Sequence, residues 1–183
     1  MVWFGAIEQV VDCSVALKWK LRQEPYHAEA VELLLDIRAG IVEPIAPVIF
    51  VAEVGSALLR AARRGRLTFD EARQAIDDIL GVNVSLVEVT PVLAQRAFEI
   101  AWAHQQGFFD CLYVAVAEAR GAEFWTGDQR LFHAFAATFP LSVGSAIIGQ
   151  SVHKGALQRR VSRQCSEPSL SRWCSPLLWA PWR

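Results

Sequence analysis

The stretch FFDCLYVAVAEARGAEFWTGD, residues Phe108 to Asp128, decides how this chain is read. Asp110 opens an apolar helical run from Cys111 to Ala119. Gly121 supplies the stop, because glycine accepts the left-handed conformation that closes many helices. Glu123 to Thr126 reads as a short buried strand, and Asp128 lies just past its end. One carboxylate thus stands at a helix start and the other beyond a strand's carboxyl end, the edge at which open α/β sheets bind ligands. Aspartate also caps helices for structural reasons alone, so Asp110 by itself leaves both readings open.

Upstream, Gln9-Val10-Val11-Asp12 reads as the end of a first buried strand, again with a carboxylate at its carboxyl edge. Ser14 is the expected N-cap of a short helix through Trp19. Ala28 to Arg38 reads as an amphipathic helix with Val31, Leu34 and Leu35 inward, ended by Gly40. Ile41 to Ala46 is a second strand, and Pro47 suits the first position of a long helix that Gly65 stops. Thr68 and Glu71 form a capping box for the next helix, to about Leu80. Val82 to Val89 alternates as a third strand, and Thr90-Pro91 opens a helix to about Gln106. After Asp128 come a helix from Gln129 to Ala137 and a last strand near Leu141 to Ile148. This alternation predicts the α/β class, with a mainly parallel sheet covered by helices on both faces.

The bulk properties agree. The chain has 183 residues, 53% hydrophobic and 20% charged, which fits a globular domain with a substantial core and excludes a disordered chain. No apolar run reaches the roughly 18 residues of a membrane span. Met1 to Val11 lacks the basic and apolar regions of a signal peptide, so a cytoplasmic location is expected. Cys13, Cys111, Cys165 and Cys174 form no C-x-x-C pair, which favours structural thiols over disulfides or zinc. The histidines are scattered, and no glycine-rich nucleotide-binding motif occurs. Residues 1–149 are therefore expected to form the domain. From about Gln150 periodicity is lost and Ser, Arg, Trp and Pro accumulate. Residues 151–183 carry six Lys/Arg against Glu167 alone, a net of +5, while the preceding 150 carry twelve against eighteen acids, a net of −6. Residues 150–183 read as a basic, poorly ordered tail, with a nucleic-acid-binding arm as the alternative.

Four acids carry the chemistry. In a doubly wound sheet Asp12 and Asp128 share the carboxyl edge, and the helix at Asp110 begins beside it. Converging like charges raise one another's pKa values and destabilise the fold unless a cation balances them. All-oxygen ligands suit Mg²⁺ or Mn²⁺ rather than zinc. Such an ion acidifies water and stabilises charge growing on a phosphate. Glu53 stands in an apolar setting, between Val51-Ala52 and Val54-Gly55. It shares one helix face with Ala57, Arg60 and Arg64, a pattern that suits a metal site continuing into a phosphate-binding groove. A solvated charged face is the other reading of those arginines.

At this point the chain resembles the PIN-domain ribonucleases, most closely the VapC-type toxins of toxin–antitoxin pairs. The matching segments are Val10 to Trp19, Ala46-Pro47 through Glu53 to Leu58, Asp110 to Glu118 and Thr126 to Leu131. The resemblance covers about residues 8–146. It implies a three-layer α/β/α sandwich around a five-stranded, mainly parallel sheet. It further implies a metal-dependent endoribonuclease in which Asp12, Glu53, Asp110 and Asp128 hold one or two Mg²⁺ or Mn²⁺ ions, Asp128 more weakly. Thr126 and Ser14 are candidates to support the site, and Arg60 and Arg64 to bind RNA. An RNA substrate, a homodimer and a cognate antitoxin that blocks the groove are implied as well. Three departures stand out: Gly107-Phe108-Phe109 offers no capping side chain before Asp110, the leader Met1 to Glu8 is longer than the pattern, and the tail matches nothing in the family pattern. Two competing readings are a catalytically inactive PIN-like module that binds RNA or a partner protein, and a phosphatase using Asp12 as nucleophile. The phosphatase reading lacks its usual second aspartate, since position 14 is Ser14.

Overall fold

The computed structural model describes residues 6–135. In chain order these form β1 (Ile7–Val11), α1 (Cys13–Lys18), α2 (His27–Arg38), β2 (Val42–Pro47), α3 (Phe50–Arg63), α4 (Phe69–Leu80), β3 (Ser85–Val87), α5 (Pro91–His104), α6 (Phe108–Arg120), β4 (Glu123–Trp125) and α7 (Gln129–Phe135). The sheet order is β3-β2-β1-β4, with every neighbouring pair parallel. Four strands are described where five were expected. The expected strand near 141–148, the tail 150–183 and the boundary between tail and domain all lie outside the described residues.

Parallel strands need crossovers, and each crossover here carries at least one helix. Successive strand residues point to opposite faces, yet Val10 and Val11 are both fully buried. Helices therefore cover both faces of β1, giving the three layers. The central element of the core is α6, whose residues Cys111 to Ala117 are buried without a break. That stretch, apolar all round, has no solvent face, and the helix meets solvent only at its ends. It packs against α5 and against β1, β2 and β4. Gly121 follows it at φ 59°, the left-handed stop expected.

Several local expectations hold and others shift. Thr68 and Glu71 make the reciprocal capping box, and Thr90 caps α5 with Pro91 in its first turn. Pro47 does not open α3; it ends β2, and the helix begins at Phe50 after a short turn. That places Glu53 in the first turn of α3 instead of its middle. Ser14 is not the N-cap of α1. Asp12 is, with its side chain accepting from the Ser14 backbone N–H. In α2 the buried face is Ala30, Leu33 and Ile37, while Leu35 is exposed. No helix among the described residues is long and apolar enough to cross a membrane.

Candidate active site

The carboxyl edge of the sheet is built where β1 and β4 lie side by side. The ladder continues one step past β1, since the Asp12 N–H donates to the Trp125 carbonyl at 3.0 Å. Asp12 and the Thr126-Gly127-Asp128 turn are thereby held at the same edge. Two hydroxyls then join these loops. Asp12 Oδ2 accepts from Ser14 Oγ and from Thr126 Oγ1, each at 2.7 Å. Ser14 Oγ in turn accepts from the Gly127 N–H at 2.8 Å, and Thr126 Oγ1 from the Asp128 N–H at 3.1 Å. Each hydroxyl donates its only proton to the carboxylate and takes a backbone proton in return, so neither has a free choice of orientation.

The other acids enter on helices. Asp110 lies in the first turn of α6 and Glu53 in the first turn of α3, where the helix dipole favours negative charge. Asp128 turns its carboxylate to the start of α7, accepting from the Arg130 and Leu131 N–H groups at 2.8 and 3.3 Å. Burial first, and then the nearby Asp128 charge, pushes the Asp12 carboxyl up, against the pull of its Ser14 and Thr126 hydrogen bonds. Burial likewise raises Glu53, with Asp12 and Asp110 adding to it and the Tyr113 hydrogen bond opposing. Asp110 is raised by burial, then by Asp12 and Asp128. These mutual effects bring all four sequence-predicted acids into one electrostatic neighbourhood. Among the described residues, no three His, Cys, Asp or Glu side chains stand as they would to hold an ion.

The donor chemistry nevertheless suits a hard cation. The four acids offer only oxygen, and the Asp110 carboxylate accepts no hydrogen bond among the described residues. A half-buried carboxylate without a donor is costly unless something positive approaches it. Gly107 helps to make room for it: a Cβ there would stand 2.8 Å from Asp110 Oδ2.

Three contributors were missed in the sequence. Tyr113, fully buried, donates from Oη to Glu53 Oε2 at 2.5 Å and so ties α6 to α3. It stands three residues after Asp110, on the same helix face, which is the signal that could have found it. Gly107 is the second. Lys18, only 6% exposed on α1, is the third, and lies four residues after Ser14. Of the predicted arginines, Arg60 borders a cleft of about 420 Å³ with Ser14, Glu53 and Phe109. Its charge draws the Glu53 carboxyl down, the weakest of the influences on that group. Arg64 lies farther along, lining only an adjoining smaller cleft. Cys13 and Cys111 are buried, and burial pushes the Cys111 thiol up to about 11, which leaves it no thiolate character at neutral pH.

Residues 10–137 match the family described as the PIN domain. Over 88 residues the chain is 36% identical to Ribonuclease VapC1 of Mycobacterium tuberculosis, in each of two strains. That alignment takes in 47% of this chain and spans 63% of the relative's length. The crystal structure of PAE2754 from Pyrobaculum aerophilum superposes with a TM-score of 0.55 at 23% identity, covering 72% of this chain and 83% of that one. This likeness supports the fold. With the match extending over most of the chain and through all the elements that carry the four acids, the chain belongs to the PIN-domain family.

Proposed function

We propose that the chain is a Mg²⁺- or Mn²⁺-dependent endoribonuclease, the toxin of a type II toxin–antitoxin pair. What supports this reading is that Asp12, Glu53, Asp110 and Asp128, on four separate elements, act on one another: Asp12 and Asp110 add to the rise of Glu53, and Asp128 to that of Asp12 and Asp110. Its relative's name, Ribonuclease VapC1, supports the choice of reaction. In this reading the four acids hold one or two divalent ions, Asp128 least directly, because its Oδ1 is already engaged by the start of α7. A cation bound there acidifies water and offsets the charge growing on a phosphate. The chain's own residues do the positioning. Ser14 and Thr126 fix Asp12, and Tyr113 fixes Glu53. Arg60, beside Glu53 in the cleft, binds the RNA backbone, with Arg64 extending the contact. A cognate antitoxin that fills this cleft, a homodimer and a cytoplasmic location belong to the same reading.

The test is cleavage of structured RNA by the full chain and by Asp110→Asn, with Mg²⁺ or Mn²⁺ and with chelator. Cutting that needs the metal and is lost in the variant is expected. Folded, antitoxin-free protein that binds RNA but cuts under no condition would identify the inactive binding module instead.

A further inference from the structure

The smaller cleft, about 200 Å³, continues the larger one and shares Ser14, Leu17, Ala57 and Arg60 with it. Its charged lining is Lys18, Arg60, Arg64 and Arg66 against the single carboxylate of Glu24. Arg66 is taken up by an ion pair with Glu24. Lys18 shares that carboxylate only at long range: its Nζ lies 3.9 Å from Glu24 Oε2, and it donates no hydrogen bond among the described residues. Among the described residues Arg60 and Arg64 form no ion pair, whereas Lys20, Arg96 and Arg120 on other surfaces do. Burying an ammonium without a close partner is costly, and an unbranched apolar side chain would fill the same space without that cost. The cleft therefore holds a buried cation with only a distant carboxylate, and two arginines without an ion pair among the described residues.

Gly127 shows that the lysine head belongs where it is. The point where a Cβ on Gly127 would stand is 2.9 Å from Lys18 Nζ, 2.5 Å from Lys18 Cε and 3.2 Å from Ser14 Oγ. The glycine of the Thr126-Gly127-Asp128 turn thus leaves the space that the lysine occupies. Lys18 and Ser14 both line the cleft beside that turn.

We infer that Lys18, Arg60 and Arg64 form a binding site for one phosphoryl group of the RNA strand, next to the acidic edge and separate from it. This rests on the ribonuclease reading. Three cations lining one cleft, none hydrogen-bonded to an acid among the described residues, can surround one phosphate, and the acids beside them cannot serve it unaided. The cleft opens into the larger one, so a strand with a phosphate held here continues past Arg60 towards Glu53. The site sets the register of the strand at the acidic edge and makes binding depend on a phosphate away from the bond that is cut.

The test uses the full chain in chelator and a labelled single-stranded RNA, followed by fluorescence anisotropy over a salt titration. Lys18→Met and Arg64→Gln should each weaken binding on the order of tenfold at low salt. Each should also reduce the slope of log affinity against log salt by about 0.7, one phosphate contact on a single strand. Lys18→Met should unfold no sooner than the parent, which a structural lysine would not allow. The same RNA with a 5′-phosphate and with a 5′-hydroxyl separates the sources: equal binding means an internal phosphodiester, and tighter binding with the phosphate means a terminal one. Unchanged affinity and slope in both folded variants, while the parent still binds and cuts RNA, overturns the phosphate site alone. A parent that neither binds nor cuts RNA overturns the ribonuclease reading with it.

Discussion

Tyr113→Phe removes one oxygen and nothing else. The ring stays in the core beside Phe124, with ring centroids 6.3 Å apart, so no cavity opens. What is lost is the 2.5 Å hydrogen bond to Glu53 Oε2. A hydrogen bond to a charged group contributes about 1.5–3 kcal/mol, and Glu53 is half-buried, so water can replace part of it; a loss near the low end, about 1–1.5 kcal/mol, follows. For a domain of this size that lowers Tm by roughly 2–6 °C. The functional effect should be larger than the structural one. Groups that orient a metal-ligating carboxylate typically alter metal affinity or activity by about 10–100-fold when removed. Calorimetric Mn²⁺ titration and RNA cleavage by the purified variant measure both. A folded Tyr113→Phe protein with Mn²⁺ affinity and cleavage within twofold of the parent would refute the claim that Tyr113 positions Glu53.

Other perturbations follow from the same contacts. Thr126→Val leaves Asp12 short of one donor and the Asp128 N–H without its acceptor; thermal unfolding should report a loss of about 2 kcal/mol, and cleavage should fall with it. Asp110→Asn should abolish cleavage yet stabilise the chelated protein by about 1 kcal/mol, because it removes a charge that burial and its neighbours disfavour; a lower Tm in chelator would contradict this. Gly107→Ala keeps ordinary backbone angles (φ −64°, ψ 139°) but sets a Cβ 2.8 Å from Asp110 Oδ2, so cleavage should drop sharply while Tm moves little. The pH dependence has a definite sign. The carboxyl groups of Asp12, Glu53 and Asp110 all lie above their ordinary values in the fold, so the folded state binds more protons than the unfolded one between the two values. Their contribution to the stability of chelated protein is therefore greatest at acid pH and is lost as pH rises through the raised values. Saturating Mn²⁺ should reverse the trend, since it binds the deprotonated groups; Tm against pH with and without the metal would show it.

The periodic elements were legible in the sequence because each carried its own local signal. Thr68-x-x-Glu71 and Thr90-Pro91 fix their helix starts by capping chemistry within a single turn, and both hold in the structure. Pro47 misled because its fixed φ suits a strand end as well as a helix start, and the choice was made by pairing of β2 with β3, where Pro47 stands opposite Val87. Leu35 read as inward from hydrophobicity, but packing of α2 chose the face of Ala30, Leu33 and Ile37. Asp12, Asp110 and Asp128 were legible because strand ends and helix starts can be counted, whereas Glu53 was singled out by its apolar setting. Their support was less so. Tyr113 and Glu53 meet across 60 positions, and Ser14 and Gly127 across 113, so no local spacing announces either contact. Lys18 carries no local signal of burial; only the tertiary fold buries it.

On this reading the carboxyl edge of the sheet is a divalent-cation site. Mn²⁺ titration of the full chain by electron paramagnetic resonance tests it directly, with Asp12→Asn as the site variant and Asp70→Asn, an exposed acid of α4, as the control. Saturable binding of one or two ions is expected in the parent and the control, and its loss in Asp12→Asn. Saturable binding that persists in Asp12→Asn, or none in the folded parent at neutral pH, would contradict it.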